Sequence, residues 1–451
     1  MSGLSKQISA VVLIIIYLQT LIAFGVVFKK INPGFDSITL SSAPVGSKRV
    51  MRRIPESLDK NGNKVADYLE KTFHGKTIFN EKIGLFVFPK MGIERELGIV
   101  LKKLNYVKVV RYYAFIRAYL IVLSRRNIER LMEDLAGKFF WIEGDLVGNI
   151  CGSIYGYWNG ISKSWFQQVN YEGTRDVTVA IIDSGIDNTR PDLSNKIVYY
   201  KDLTGESVEP VDNIGHGTMI ASIIAGESVE IDTMSLVHFG SVSTKYEDVI
   251  AFRLPSTQYV NITLKWRSED ENKVFLKLKS ENGSEWSIVN TTNTSISIKV
   301  NIERGLNKIL MSCERGEIQY VVRVDYNLGG VKSIKGVAPK VKLAVWKVSK
   351  GMSVLTNSST VIDALREVLG LYRELNITVV NLSISFKKQI LALDEAINRL
   401  VTNGILVVTP AGNEYIEKYD EQQTNQIGSP GTAYLAITVA AINEYYGIAL
   451  Y

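Results

Sequence analysis

Cysteine is almost absent. Cys151 and Cys313 are the only two in 451 residues, too few for a zinc ligand set or a disulfide framework. They can form one bridge or remain thiols. The chain also lacks a decisive excess of either charge, with 52 Lys and Arg against 46 Asp and Glu. Its small basic surplus is local: 20 bases face 12 acids between Lys48 and Asp145, and 29 bases face 33 acids beyond that point. A nucleic-acid binder concentrates Lys and Arg, with aromatics, over its main domain. Here the larger C-terminal part is slightly acidic, so no nucleic-acid partner is expected. Long hydrophobic runs are missing too, apart from one near the start. With 46% hydrophobic and 22% charged residues, the chain is too apolar for disorder and too mixed to cross a membrane repeatedly. Its length allows about two to four separately packed cores.

The one long apolar run covers residues 8–28, uncharged between Lys6 and the pair Lys29-Lys30. About 20 such residues span a bilayer as a helix, while Ala23-Phe24-Gly25 is a small-x-small cleavage signal. Residues 1–30 are expected to be a signal peptide or a membrane anchor, and either one sends the remainder outside the cytoplasm, to the extracellular space or the cell surface. Seven Asn-x-Ser/Thr sequons agree with export, four of them crowded at Asn261, Asn282, Asn290 and Asn293. Asn381 falls in an apolar run and is expected to be buried. Residues 31–58, with Pro33, Gly34, Pro44 and Gly46, read as a linker. Asp59, Asn61, Asn63, Asp67 and Glu70 then place side-chain oxygens at positions 1, 3, 5, 9 and 12 of a loop. That is the order in which an EF-hand wraps calcium, although the sixth position, ordinarily glycine, is Lys64. Residues 59–70 therefore read either as a calcium loop or as an Asx-rich turn capping a helix that starts near Val65.

The hydrophobic period then alternates. Over residues 71–148 it predicts a strand at 83–88, a helix at 93–104, two strands within 106–123, a helix at 127–135 and a strand at 139–142. This β-α-β-β-α-β order is that of a ferredoxin-like split unit. From residue 149 onward, buried apolar strands at 177–182, 341–348, 379–384, 405–409 and 436–442 alternate with helices at 217–225, 361–375 and 391–401, as in an open parallel sheet covered on both faces. The rhythm breaks over residues 227–335, where Val, Ile, Thr and Ser alternate with Lys and Glu and no helical segment occurs. That stretch reads as an inserted β-sandwich. The fold class is α/β: a parallel-sheet domain with an all-β insert, preceded by a ferredoxin-like unit.

Three polar residues stand where the apolar pattern ends. Asp183 closes the strand Val179-Ala180-Ile181-Ile182, His216 opens a small-residue helix in Gly215-His216-Gly217-Thr218, and Asn413 follows a strand in Pro410-Ala411-Gly412-Asn413. Ligands of open parallel sheets bind beyond the carboxyl ends of the strands, so the three are expected at one cleft. Together the segments resemble the subtilisin-like serine proteases (subtilases, the peptidase S8 family). The resemblance rests on Asp183-Ser184-Gly185-Ile186-Asp187, Arg190-Pro191-Asp192-Leu193, Gly215-His216-Gly217-Thr218, Gly336-Val337-Ala338-Pro339 and Ala411-Gly412-Asn413. They follow the family's chain order and lie within residues 150–226 and 336–451.

The resemblance implies a subtilisin-like catalytic domain over residues 149–226 and 336–451, incomplete in this chain, and a serine endopeptidase acting on protein or peptide substrates. It implies that residues 71–148 are an inhibitory propeptide that binds its own catalytic domain. It assigns Asp183 to orient His216, His216 to take the nucleophile's proton, and Asn413 to donate to the oxyanion. Residues 380–385, among them Ser383, Ile384 and Ser385, would pair with an extended substrate. No cofactor is required, and calcium is an optional ligand; Asp192 matches a calcium ligand of the family. Two departures stand out: Met219 replaces a second histidine, and Ser383-Ile384-Ser385 replaces Ser-Leu-Gly. The family's nucleophile lies in a Gly-Thr-Ser motif that opens a helix. After Asn413 the only serine is Ser429, in the turn-like Gly428-Ser429-Pro430-Gly431. The expectation is that the chain as given lacks its nucleophile and is inactive alone, being the front of a longer protease or a partner of a second polypeptide. The alternative from another class is a surface-anchored glycoprotein, catalytically dead, whose β insert binds partners.

Overall fold

The structure, a computed structural model, describes residues 54, 58–69, 82–150, 172–267, 273–280, 283–290, 295–316, 318–351, 353–412 and 427–440. The apolar run at 8–28, nearly all of the linker, Glu70, Cys151 and Asn413 lie outside these residues. Among the described residues no helix is long and apolar enough to cross a membrane. The chain divides into two compact units, one of residues 26–146 with 390–392, the other holding the remainder.

The smaller unit runs β1 (Lys82–Pro89), α1 (Glu94–Lys103), β2 (Val107–Tyr113), β3 (Ala118–Ser124), α2 (Ile128–Asp134) and β4 (Phe139–Gly144). Its antiparallel sheet has the order β2-β3-β1-β4, the split arrangement read from the periodicity. α1 turns Leu97 and Leu101 inward, with Glu94 and Glu96 in its first turn and Lys102 and Lys103 in its last. Those charges oppose the helix macrodipole at each end. Ahead of this sheet, Val65 forms a bridge to Ile142 of β4, and helical structure begins at Asp67, not at Val65.

In the larger unit, β5 (Val147–Ile150) comes first, followed by β6 (Thr178–Asp183), β7 (Ile197–Asp202) and α3 (His216–Ala225). The insert follows: β8 (Val229–Val242), β9 (Glu247–Leu254), β10 (Gln258–Arg267), β11 (Val274–Ser280), β12 (Glu285–Asn290), β13 (Ser295–Ile302), β14 (Gly305–Cys313) and β15 (Ile318–Ile334). It forms two antiparallel four-stranded sheets, β13-β10-β15-β8 and β12-β11-β14-β9. Alternate residues, such as Val260, Ile262, Leu264 and Trp266 of β10 and Leu276 and Leu278 of β11, share one buried core, as the period-2 pleat requires. Cys313 is buried within it, its Sγ donating to the Val242 carbonyl at 3.5 Å.

The chain then resumes with β16 (Lys342–Lys347), β17 (Leu355–Asn357), α4 (Ser358–Leu371), β18 (Ile377–Leu382), β19 (Ile384–Ser385), α5 (Leu391–Thr402), β20 (Leu406–Pro410) and β21 (Ile437–Val439). Six strands make a parallel sheet in the order β21-β20-β18-β6-β16-β7. All six residues of β6 are buried, which is why that strand reads as an unbroken apolar run. Val179 and Ile181 pack with Ile220, Ile223 and Ile224 of α3 and with Val345, Val379 and Val408 of the neighbouring strands. Asn381 in β18 is 1% exposed and donates Nδ2 to Ser383 Oγ at 3.0 Å, so burial there is as expected. A small third sheet places β5 between β17 and β19, antiparallel to both.

Candidate active site

β6 ends in Asp183, which is fully buried. Its Oδ1 accepts the amide of Ser184 at 2.7 Å and lies 2.6 Å from Nδ1 of His216, itself 1% exposed. A carboxylate at that distance and depth holds the ring in the tautomer with the proton on Nδ1. The expected meeting of Asp183 and His216 is therefore found, at the carboxyl edge of the parallel sheet.

His216 is the first residue of α3, and the approach of that helix to β6 depends on a missing side chain. A Cβ at Gly217 would stand 2.2 Å from the Gly185 carbonyl oxygen and 3.2 Å from Asp183 Cβ. The residue before the histidine, Gly215, has φ +88, which an L side chain rarely adopts. The helix start is held by Asp212. Its Oδ1 accepts the amides of Ile214 at 3.2 Å and Gly215 at 2.8 Å, and its Oδ2 accepts the amide and hydroxyl of Thr218 at 2.8 and 2.7 Å. An anion at a helix N-terminus meets both the unpaired amides and the positive end of the dipole. Ser184 joins the two motifs, donating Oγ to Asp212 Oδ1 at 2.8 Å and accepting the amide of Gly217 at 2.9 Å. Asp212 lies outside the motifs that mark the site in the sequence, and the bridging role of Ser184 emerges only in the fold. The N-cap itself is Gly215 and Asp212 stands three residues further out, so the usual capping signal does not mark it.

Negative charge collects on this side of the cleft. Burial raises the Tyr200 phenol to about 12, and the carboxylates of Asp202, Asp212 and Glu206 add to the rise. A buried cation answers it: Lys347, fully inaccessible at the end of β16, donates Nζ to the Ser184 carbonyl at 2.8 Å.

The residues proposed for substrate pairing divide. Val380 and Leu382 belong to the parallel sheet, Val380 paired with β6 and β20 and Leu382 with β6, whereas Ile384 and Ser385 pair antiparallel with Ile150 and Asn149 of β5. Ser383 lies between the two strands and is 2% exposed. Thr356 Oγ1 of β17 donates to the Val348 carbonyl at 2.8 Å, and the Val348 amide donates to Asp183 O at 2.9 Å. Strand β17 is thus tied to the strand ends that carry Asp183. Ser429 is buried beside a cis peptide bond to Pro430, and its hydroxyl donates to Asp394 Oδ1 at 2.6 Å. It stands in a turn, as read.

Of the calcium candidates, Asp59, Asn61, Asn63 and Asp67 are brought to one loop. Asn63 N donates to Asn61 Oδ1 at 3.1 Å, Lys64 N to Asp59 Oδ2 at 3.1 Å, Val65 N to Asn63 Oδ1 at 2.9 Å and Lys60 N to Asp67 Oδ1 at 3.1 Å. Lys64 takes φ 68, the conformation for which glycine is usual at that position. Asp59 Oδ1 is buried with no hydrogen-bond partner among the described residues, which fits a hard cation. Asp192 fits one poorly, because Arg190 Nε already donates to its Oδ1 at 3.0 Å. Among the described residues, which do not include Glu70, no group of three or more His, Cys, Asp or Glu that could hold a metal occurs.

The sequence profile of the Subtilase family (Peptidase S8) matches residues 174–244 and 316–449, and the gap between the two stretches falls inside the β insert. The thermophilic serine proteinase of Bacillus sp. (strain AK1) is 37% identical over 57 residues, 13% of this chain and 14% of that protein. Serine protease AprX of Bacillus subtilis (strain 168) is 41% identical over 51 residues, 11% of either chain. These alignments thus span well under a fifth of either relative. Among solved structures, fervidolysin from Fervidobacterium pennivorans, a keratinolytic enzyme related to subtilisin, aligns with a TM-score of 0.39 and 13% identity over 74% of this chain and 40% of its own. With its aspartate and histidine motifs joined at the edge of a six-stranded parallel sheet, and with the family profile running on both sides of the insert, the chain belongs to the subtilase family of serine peptidases.

Proposed function

We propose that the protein is a serine endopeptidase that hydrolyses peptide bonds of protein or peptide substrates by a Ser/His/Asp mechanism. Asp183 orients His216 through Nδ1, and Nε2 takes the serine's proton as its oxygen attacks the scissile carbonyl, then returns it to the leaving amine. Asn413 donates its side-chain amide to the tetrahedral oxyanion, a contact worth about 3 to 4 kcal/mol in such sites. The nucleophile is assigned to a serine outside the described residues, because the Ser429 hydroxyl is committed to Asp394. The observation that carries this reading is the buried 2.6 Å contact between His216 Nδ1 and Asp183 Oδ1.

Substrate binds as an added strand between β17 and β19, with main-chain hydrogen bonds giving affinity. Ser383, Ile384 and Ser385 form one wall of that slot. The antiparallel seating of β5 between the same two strands supports this mode. Because β5 follows directly in the chain on the β-α-β-β-α-β unit, residues 71–148 act in this reading as an inhibitory propeptide. Calcium is proposed at the 59–70 loop, with Asp59, Asn61, Asn63, Asp67 and Glu70 as ligands and no part in the reaction. The protein is exported, to the extracellular space or to the membrane surface through residues 8–28.

The test is fluorophosphonate labelling and peptide hydrolysis with the protein expressed from its full coding region. The probe is expected on a serine other than Ser429, and Asp183→Asn is expected to lower kcat by about 10⁴-fold. Labelling and hydrolysis that survive His216→Ala refute the mechanism.

A further inference from the structure

Lys347 is the last residue of β16, in register with Asp183 on the adjacent strand β6, and no part of its side chain reaches solvent. Lysine is almost never fully buried unless paired, because desolvating an ammonium is costly. Its partners are therefore informative. The ladder between the two segments ends where the Val348 amide donates to Asp183 O at 2.9 Å. The next carbonyl, that of Ser184, is past the end of the ladder, and Lys347 Nζ donates to it at 2.8 Å. The counter-charge is Glu206, whose Oε2 lies 3.7 Å from Nζ and whose side chain is 22% exposed. The same oxygen accepts the Gly351 amide at 2.7 Å. Glu206 belongs to the loop after β7, and Gly351 to the loop leading into β17, so one ammonium ties both loops to the turn that carries Asp183.

Ser184 is consequently held on each of its polar groups. Its amide donates to Asp183 Oδ1, its hydroxyl bridges Asp212 and Gly217, and its carbonyl accepts from Lys347. Asp202, in register with Lys347 on β7, also carries charge near the ammonium, and its carboxylate accepts the amides of Thr204 at 2.6 Å and Ser207 at 3.0 Å and so shapes the loop that presents Glu206. The held carbonyl and the Ser184 amide lie in the two peptide planes that meet at Ser184 Cα, so a displaced carbonyl would shift that Cα and draw the amide away from Asp183 Oδ1, the same oxygen that meets the His216 ring.

We propose that Lys347 is a positioning residue for the Asp183–His216 pair: its ammonium locks the Ser184 carbonyl, and through the Ser184 backbone the orientation in which Asp183 Oδ1 accepts the hydrogen bond from the ring Nδ1. This inference rests on the function proposed above, but its test needs no turnover. The chain has three histidines, so the His216 ring proton can be assigned by NMR, using His216→Gln as the reference. Wild-type protein is expected to give a far-downfield Nδ1 proton that exchanges slowly with water. Lys347→Met, with near-ultraviolet circular dichroism unchanged, is expected to lose that resonance or to exchange it at least about tenfold faster. Lys347→Arg, which can still donate to the carbonyl, is expected to retain it. If Lys347→Met does not fold, Glu206→Gln, altering a side chain that water already reaches, is expected to accelerate the same exchange. A folded Lys347→Met, or in its place Glu206→Gln, with wild-type resonance and exchange overturns the inference alone. Wild-type protein with no downfield ring proton overturns the Asp183–His216 mechanism and this inference with it.

Discussion

Asp394, in the first turn of α5, should make the protein less stable as the pH rises from acid to neutral. It is 5% exposed and accepts only neutral donors in the hydrogen bonds described: Ser429 Oγ at 2.6 Å, Thr432 Oγ1 at 2.8 Å and Gln389 Nε2 at 3.1 Å. Burial outweighs those bonds and raises the carboxyl from 3.8 to about 6. A carboxyl whose folded value exceeds its unfolded value binds more protons in the folded state between the two. Stability is therefore greatest below pH 4 and is lost as the pH climbs through 6. At 1.36 kcal/mol per pKa unit the whole effect is about 3 kcal/mol, of which about 2 kcal/mol falls between pH 4.5 and 7.5. Asp394→Asn keeps the shape, can still accept from one hydroxyl and donate to the other, and does not titrate. Urea unfolding of wild type and variant at several pH values in that range isolates the effect, because every other titrating group cancels in the difference. The stability difference between the two should change by about 2 kcal/mol, in the variant's favour as pH rises. Parallel curves across the range would refute the reasoning.

Two further substitutions test other parts of the structure. If residues 59–70 hold calcium, raising free calcium to 100 times its dissociation constant should stabilise the smaller unit by about 2.7 kcal/mol. Asp59→Ala should erase that shift in calorimetry with and without a chelator; a wild-type unfolding temperature indifferent to calcium would leave the loop a plain Asx-rich turn. Gly217→Ala puts a Cβ 2.2 Å from a backbone oxygen, which cannot yield as a side chain can. The helix must back away from β6, costing about 1 to 3 kcal/mol and weakening the His216 contact with Asp183. Thermal unfolding and the ring-proton spectrum read both effects, and an unchanged protein on both counts would mean that the close approach is dispensable.

The parts of the fold legible in the sequence are those whose signal is local. β6 reads as an unbroken apolar run because it is covered on both faces, and Asp183 and His216 are conspicuous because a polar residue breaks the pattern where an element ends or begins. β5, β17 and β7 escaped notice for the opposite reason. The first two are three- and four-residue segments that become strands only by pairing with chain more than 200 residues away, and β7, at the sheet edge, has no fully buried residue to mark it. Residues 379–384 read as one strand, whereas the structure breaks it at Ser383 and hands Ile384 to a different sheet. Lys347 was invisible because a lysine at a strand end ordinarily points to water, and Glu206 and Ser184, the partners that bury it, lie about 140 and 163 residues earlier. The insert was legible as a separate body for a reason the structure makes physical. Val229 of β8 pairs with Ile334 of β15, and the Gly336 amide donates to Gly226 O at 2.8 Å. The insert departs after α3 and returns ahead of β16 at nearly one point, so its length costs the surrounding fold little beyond loop closure, which grows only logarithmically with chain length. The residues that hold His216 lie before that junction and those that carry Lys347 after it, and the constellation survives the interruption because the junction, not the span, fixes their separation.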